Sequence, residues 1–190
     1  ILKNLGKLKE AEVFIRKAIE IKPDFADAYS NLGNILRDLG KLKEAEVFIR
    51  KAIKIKPNFA EAHYNLGDIL NDLSDFEQAT IEWMKAIDLV PSLPGLVEQL
   101  ARRLYLDKKY NKAIKYLKES KSDNCKSLYL SCLLSLNREK DFNEKYTELN
   151  EKQVCNAGIA SVIEHANIIY DNKYESPFCN EAIKYVFIEK

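Results

Sequence analysis

Residues 5–19 read "LGKLKEAEVFIRKAI", and residues 39–53 read the same fifteen letters without a change. An offset of 34 residues is the mark of stacked helical units, each too small to bury its apolar face without a neighbour. The fold follows from that period, so the rest of the chain is read outward from these two copies.

The same period places Pro23, Pro57 and Pro91 in one series, with Phe25/Phe59, Ala28/Ala62, Asn31/Asn65 and Gly33/Gly67 in others. Ala11, Ala45, Ala79 and Ala113 carry it through four units. One unit runs Tyr29, Leu32-Gly33, Leu36, Ala45, Ile49, Ala52, Pro57, and the next His63, Leu66-Gly67, Leu70, Ala79, Trp83, Ala86, Pro91. Each choice has a mechanical cause. Gly33, Gly67, Ala45 and Ala79 stand where two helices must approach closely, and a larger side chain would push them apart. Pro57 cannot continue a helix and so ends the second one of its unit. Leu39-Gly40-Lys41 forms the turn between the two helices, with Gly40 suited to a left-handed position just past a helix end.

At these residues the chain resembles the tetratricopeptide repeat. The resemblance implies an all-α superhelix, a right-handed solenoid of antiparallel helix pairs. Its units fall at 25–58 and 59–92, with a partial repeat over 1–24 (the end of a first helix and a second helix) and a divergent repeat over 93–124. In the divergent unit Leu100-Ala101 replaces Leu-Gly, Ser120 replaces the second Ala, and Pro94-Gly95 interrupts the start of the first helix. Beyond Asp123 the strict period fails. A degenerate hairpin is expected over 125–152, with a connection about two residues shorter than the period requires, then a helical cap over 153–190. Tyr174, Pro177-Phe178-Cys179-Asn180 and Tyr185-Val186-Phe187 also resemble a segment that follows repeats in some bacterial proteins with a downstream oxygenase domain. Ile1-Leu2 align with Ile35-Leu36 inside a first helix, so the sequence is expected to be a fragment. Its uncovered end, carrying Leu5, Leu8, Val13 and Ile19, is expected to self-associate.

The 190 residues are 46% hydrophobic and 31% charged, and no apolar run is long enough to span a bilayer, so no membrane partner is expected. The net charge of +1 hides three blocks: +5 over 1–57, −7 over 58–98 and +3 over 99–190. Nucleic-acid binding would ask for one continuous basic stripe, and the acidic middle block argues against it. Cys125, Cys132, Cys155 and Cys179 lack the spacing of a disulfide framework or zinc site and are expected to be free thiols in a cytoplasmic protein.

Catalytic and cofactor chemistry is not suggested, and no catalytic, cofactor-binding or metal residue is assigned. Only His63 and His165 are present, and neither begins a His-x-Asp motif. His63 stands at the position of Tyr29 one unit earlier and is expected to be structural. The resemblance instead directs attention to the first helices, which line the concave groove in this family. There Asp27, Ser30, Asn31, Asn34, Arg37 and Asp38 share one stripe, and Glu61, Tyr64, Asn65, Asp68, Asn71 and Asp72 repeat it; Glu98 and Arg102 follow on the next helix. An Asn side chain both donates and accepts, so Asn31 and Asn65 could hold an extended peptide backbone. Such ladders occur in repeats of some glycosyltransferases that the array resembles. Family members that grip a C-terminal carboxylate use Lys and Arg, whereas Asp68, Asp72 and Glu98 would repel one. The expected function is a non-catalytic scaffold binding a basic or polar peptide or protein partner in the groove. The other reading is the substrate-recruiting arm of a larger enzyme, an oxygenase or a glycosyltransferase.

Overall fold

The computed structural model describes residues 2–93, 95–152, 154, 156–170 and 174, with side chains from residue 6 onward. Every regular element among them is helical. Two compact units, Ile1–Leu96 and Val97–Lys190, divide the chain.

The first unit holds α1 (Leu2–Ile21), α2 (Ala26–Asp38), α3 (Leu42–Ile55), α4 (Ala60–Asp72) and α5 (Phe76–Leu89). Helices α2 and α3 form one antiparallel hairpin, α4 and α5 the next, and α1 packs on α2 as α3 packs on α4. The period-34 apolar residues make the core. Leu32, Leu36, Ala45, Ile49 and Ala52 have no exposed surface, and Leu66, Ile69, Leu70, Ala79, Trp83 and Ala86 repeat the arrangement. A methyl group on Gly33 would overlap the Ile49 side chain, and one on Gly67 would overlap the Trp83 indole. These two glycines therefore set the approach of the paired helices.

The turn between paired helices is made the same way each time. Gly40 has φ +75°, and the amide of the next residue, Lys41, bonds back to the Leu36 carbonyl at 2.8 Å. Ser74 (φ 64°), Lys108 (φ 58°) and Asn137 (φ 53°) take the same left-handed place, with Asp75, Lys109 and Arg138 closing on Leu70, Leu104 and Leu133. Only the first of the four uses glycine; in the others hydrogen bonding and packing outweigh left-handed strain of about 1–2 kcal/mol per residue.

The first copy of the quoted stretch is helical where the second copy turns. Leu5-Gly6-Lys7 does not turn; α1 runs as a single helix through it. At Gly40 the turn is held because α2 folds back along α3.

The second unit holds α6 (Leu96–Leu106), α7 (Tyr110–Leu117), α8 (Asp123–Ser135), α9 (Glu139–Glu151) and α10 (Ala157–Tyr170). Its α8–α10 core joins Leu130, Leu133, Phe142, Leu149, Ile159, Ile163 and Ala166, edged by Tyr146, Tyr170 and Tyr174. The slip in period is larger than the two residues expected. From Lys108 to Asn137 the left-handed positions are 29 residues apart, not 34, because α7 has only 8 residues where α3 and α5 have 14. Of the cap expected over 153–190, only Val154, residues 156–170 and Tyr174 lie within the described residues.

Candidate functional site

The stripe on α2 and α4 is built by the side of each helix turned away from Leu32/Leu36 and Leu66/Leu70. Its residues do not stand equally free. Asp27, Asn31, Asp38, Glu61 and Asp72 are exposed, and Asn34, Tyr64 and Asn71 are half-buried. Asn65 is 7% exposed and donates from Nδ2 to Ser30 Oγ at 3.2 Å. Of the two amides read as a ladder, Asn31 faces solvent and Asn65 joins α4 to α2.

Arg37 lies near the C-terminal end of α2. Its Nε donates to Asp72 Oδ2 at 2.7 Å and its Nη1 to Asp68 Oδ2 at 3.0 Å. The second Asp68 oxygen accepts from the Trp83 indole N–H at 3.1 Å, and Asp68 is itself buried. Burial works against the Arg37 charge, yet Asp72 and Asp68 outweigh it and hold the guanidinium above its ordinary pKa. Tyr64 is pushed up by burial and by the neighbouring Asp68 carboxylate, to which its hydroxyl hydrogen-bonds. Helices α2 and α4 carry Asp27, Asp38, Glu61, Asp68 and Asp72 against Arg37, a net charge of −4 with His63 neutral.

In the second unit Glu98 receives Arg102 Nη2 at 3.0 Å and the Asn124 amide at 3.3 Å. A cavity of about 320 Å³ lies among Tyr105, Ser131, Leu134, Ser161, His165 and Ile169, which places His165 on a partly apolar surface. Among the described residues no group of three His, Cys, Asp or Glu side chains gathers as a metal site would require.

One polar cluster in the first unit is not read from the sequence. His63 Nδ1 lies 2.6 Å from Glu82 Oε2, His63 Nε2 lies 2.9 Å from the Pro57 carbonyl, and Lys85 Nζ lies 2.9 Å from Glu82 Oε1. Both ring nitrogens thus face oxygen atoms, one of a carboxylate and one of a backbone carbonyl. Burial raises the Glu82 carboxyl, but hydrogen bonds from Lys85 and His63 outweigh it and leave the group below its usual range. One period earlier the positions hold Tyr29, Phe48 and Lys51. There the two rings stack with centroids 6.2 Å apart, and Lys51 Nζ sits 4.6 Å from the Tyr29 ring. A carboxylate standing one period after Phe48 was the signal available.

Three tetratricopeptide-repeat family models match the chain, over residues 1–25, 26–59 and 48–80. Among solved structures it is similar to YrrB, described as a TPR protein with an unusual peptide-binding site: 19% identity, 90% of this chain and 91% of that one, TM-score 0.71. It is similar also to PilF of Pseudomonas aeruginosa, at 20% identity over 97% and 86% of the two chains with TM-score 0.67. For MamA the values are 15%, 91%, 91% and 0.64. At such identities the likeness establishes the fold. A search of curated proteins finds no match. The chain is a tetratricopeptide-repeat protein with an all-α solenoid fold. The second resemblance, to the segment before oxygenase domains, rests on the apolar helix α10, on Tyr174 and on residues 177–187, and the last of these lie outside the described residues.

No helix among the described residues is long and apolar enough to cross a membrane.

Proposed function

We propose that the chain is a protein-interaction scaffold whose α2/α4 stripe binds a basic or polar peptide. The observation that carries this reading is the charge state of the stripe. Its one arginine is held by Asp68 and Asp72, while Asp27, Asp38 and Glu61 remain exposed beside the Asn31 amide. A lysine- or arginine-bearing peptide gains attraction from those carboxylates, and Asn31 can take its backbone. The likeness to a solved TPR protein described as having a peptide-binding site supports the same direction. Glu98 and Arg102 are assigned a comparable role on the surface of their own unit. The net acidity of the stripe disfavours nucleic acid, and a cytoplasmic setting accords with Cys125 and Cys132 as buried free thiols. Self-association through the N-terminal end, where Val13 and Phe14 of α1 are exposed, is part of the same proposal.

Fluorescence polarisation with labelled peptides of matched length and opposite charge tests the reading. Basic peptides should bind, more weakly as salt rises, and Asp27→Lys with Glu61→Lys should abolish the preference. Equal binding of acidic and basic peptides would overturn it.

A further inference from the structure

The left-handed residues Gly40, Ser74, Lys108 and Asn137 each stand two residues past the end of α2, α4, α6 and α8, and so give these helices a common register. Counting back from them, the third residue is Arg37, then Asn71, Tyr105 and Leu134. The sixth is Asn34, Asp68, Arg102 and Ser131, and the second is Asp38, Asp72, Leu106 and Ser135. In the first unit these places hold the arginine and carboxylates of the candidate stripe. In the second unit Arg102 is the one charged residue among them, and Glu98 pairs with it.

Four of these neutral residues, Tyr105, Ser131, Leu134 and Ser135, line the cavity of about 320 Å³ in the second unit. From α10, Val162 and Ile169 extend its apolar wall, and Ser161 and His165 add polar groups. No carboxylate, ammonium or guanidinium is among the described lining residues. Such a cavity suits an uncharged organic group, and the hydroxyls decide which polar atom that group must bring. Ser131 Oγ donates to the Ser127 carbonyl at 3.0 Å, and Ser135 Oγ to the Ser131 carbonyl at 2.8 Å. Each hydroxyl has one hydrogen, already committed, so what it offers the cavity is acceptor lone pairs. We propose that this cavity is a binding pocket for a tryptophan side chain on an uncharged segment of a partner polypeptide. The indole ring covers Leu134, Val162 and the 51% exposed Ile169, and its N–H donates to a serine oxygen. Indole is a donor only, whereas a phenol adds lone pairs that the committed hydroxyls cannot meet. Trp83, the only tryptophan of the 190 residues, is 1% exposed in the core, so a second copy of these residues has no indole to give. The pocket shares no residue with the α2/α4 stripe and does not rest on that reading.

The probe is a short, labelled Gly/Ser peptide with blocked ends and one central tryptophan, titrated with the whole chain in an anisotropy assay. The expected result is saturable binding that salt leaves unchanged, because no charge is engaged. Peptides with 1-methyltryptophan, which lacks the donor, or with leucine at the centre should bind more weakly by roughly five-fold or more. Leu134→Lys should weaken binding by roughly ten-fold or more, since it sets a charge in the apolar wall, and circular dichroism checks that the variant stays helical. Ser131→Ala combined with Ser135→Ala removes only the acceptors and should bring the tryptophan and 1-methyltryptophan peptides to equal affinity. Asp27→Lys with Glu61→Lys should leave this binding unchanged, so failure of the basic-peptide reading is seen separately. Absence of saturable binding would overturn the proposal. So would equal binding of the tryptophan and 1-methyltryptophan peptides to the wild-type chain, or a preference between them that survives loss of both serines.

Discussion

Exchanging the polar pair of the second hairpin for the aromatic pair of the first tests whether the two hairpins are alternative solutions to one packing problem. The variants are His63→Tyr, Glu82→Phe and the two together. His63 and Glu82 side chains are 8% and 7% exposed, and their nitrogen and oxygen lie 2.6 Å apart. Removing one member of such a pair strands the other in a dry site, which costs about 3–5 kcal/mol. Glu82→Phe leaves His63 Nδ1 facing a ring, and His63→Tyr leaves Glu82 with Lys85 alone. The double variant recreates the Tyr29/Phe48 stack, with Lys85 placed as Lys51 is, so no buried charge is orphaned. An aromatic pair adds about 0.5–1.5 kcal/mol beyond the area it buries, and a well-packed apolar replacement of a buried ion pair is often neutral or better. The double should therefore lie within about 1 kcal/mol of wild type, giving a coupling energy of at least about 5 kcal/mol. Urea unfolding followed by Trp83, the only tryptophan and the neighbour of Glu82, reads this hairpin directly. Repeat arrays need not unfold in one step, so a local probe is preferable to the whole-chain signal. Additive effects, with the double as unstable as the sum of the singles, would show that the equivalence of the two hairpins is wrong.

Gly33→Leu forces a side chain into Ile49 and should destabilise the first hairpin by about 1–3 kcal/mol or more, seen as an earlier transition in circular dichroism; an unchanged melt would refute the close approach. Burial pushes the Cys132 thiol up to about 12, so alkylation at pH 8 should wait for unfolding of α8; peptide mapping that finds it labelled in native buffer would contradict this. Hydrogen bonds from Lys145 and Lys152, at 2.7 and 2.8 Å, hold the Glu148 carboxyl down at about 2. A lowered folded value means the contribution is present above the ordinary carboxylate range and is lost as pH falls from there towards 2. The difference in urea midpoint between wild type and Glu148→Gln should accordingly shrink over that interval. It should be small throughout, because the side chain is 43% exposed and solvent screens it.

The 34-residue period, the helix pairs of the first unit and the close contacts at Gly33 and Gly67 were all legible in the sequence. They depend on local spacing and on side-chain volume, which any stacked neighbour must accommodate. The lengths of the later elements were less legible: the eight-residue α7 and the 29-residue step to Asn137 have no marker as strong as the repeated glycine. In the candidate stripe, residue types could be read, but not their engagement. Arg37 and its partners Asp68 and Asp72 are 31 and 35 positions apart, and whether they meet depends on how α2 and α4 lie together. The same holds for Asn65 with Ser30 and for His63 with Glu82. The two identical copies also differ in what surrounds them. Fifteen unchanged residues turn at Gly40 and run straight as helix through Gly6, and Ile49 is sealed where Ile15 is left partly open. A sequence sets which face of a helix is apolar and how closely it can be approached. The neighbour packed on that face decides which backbone bonds are kept, which charges are paired and which surface remains open.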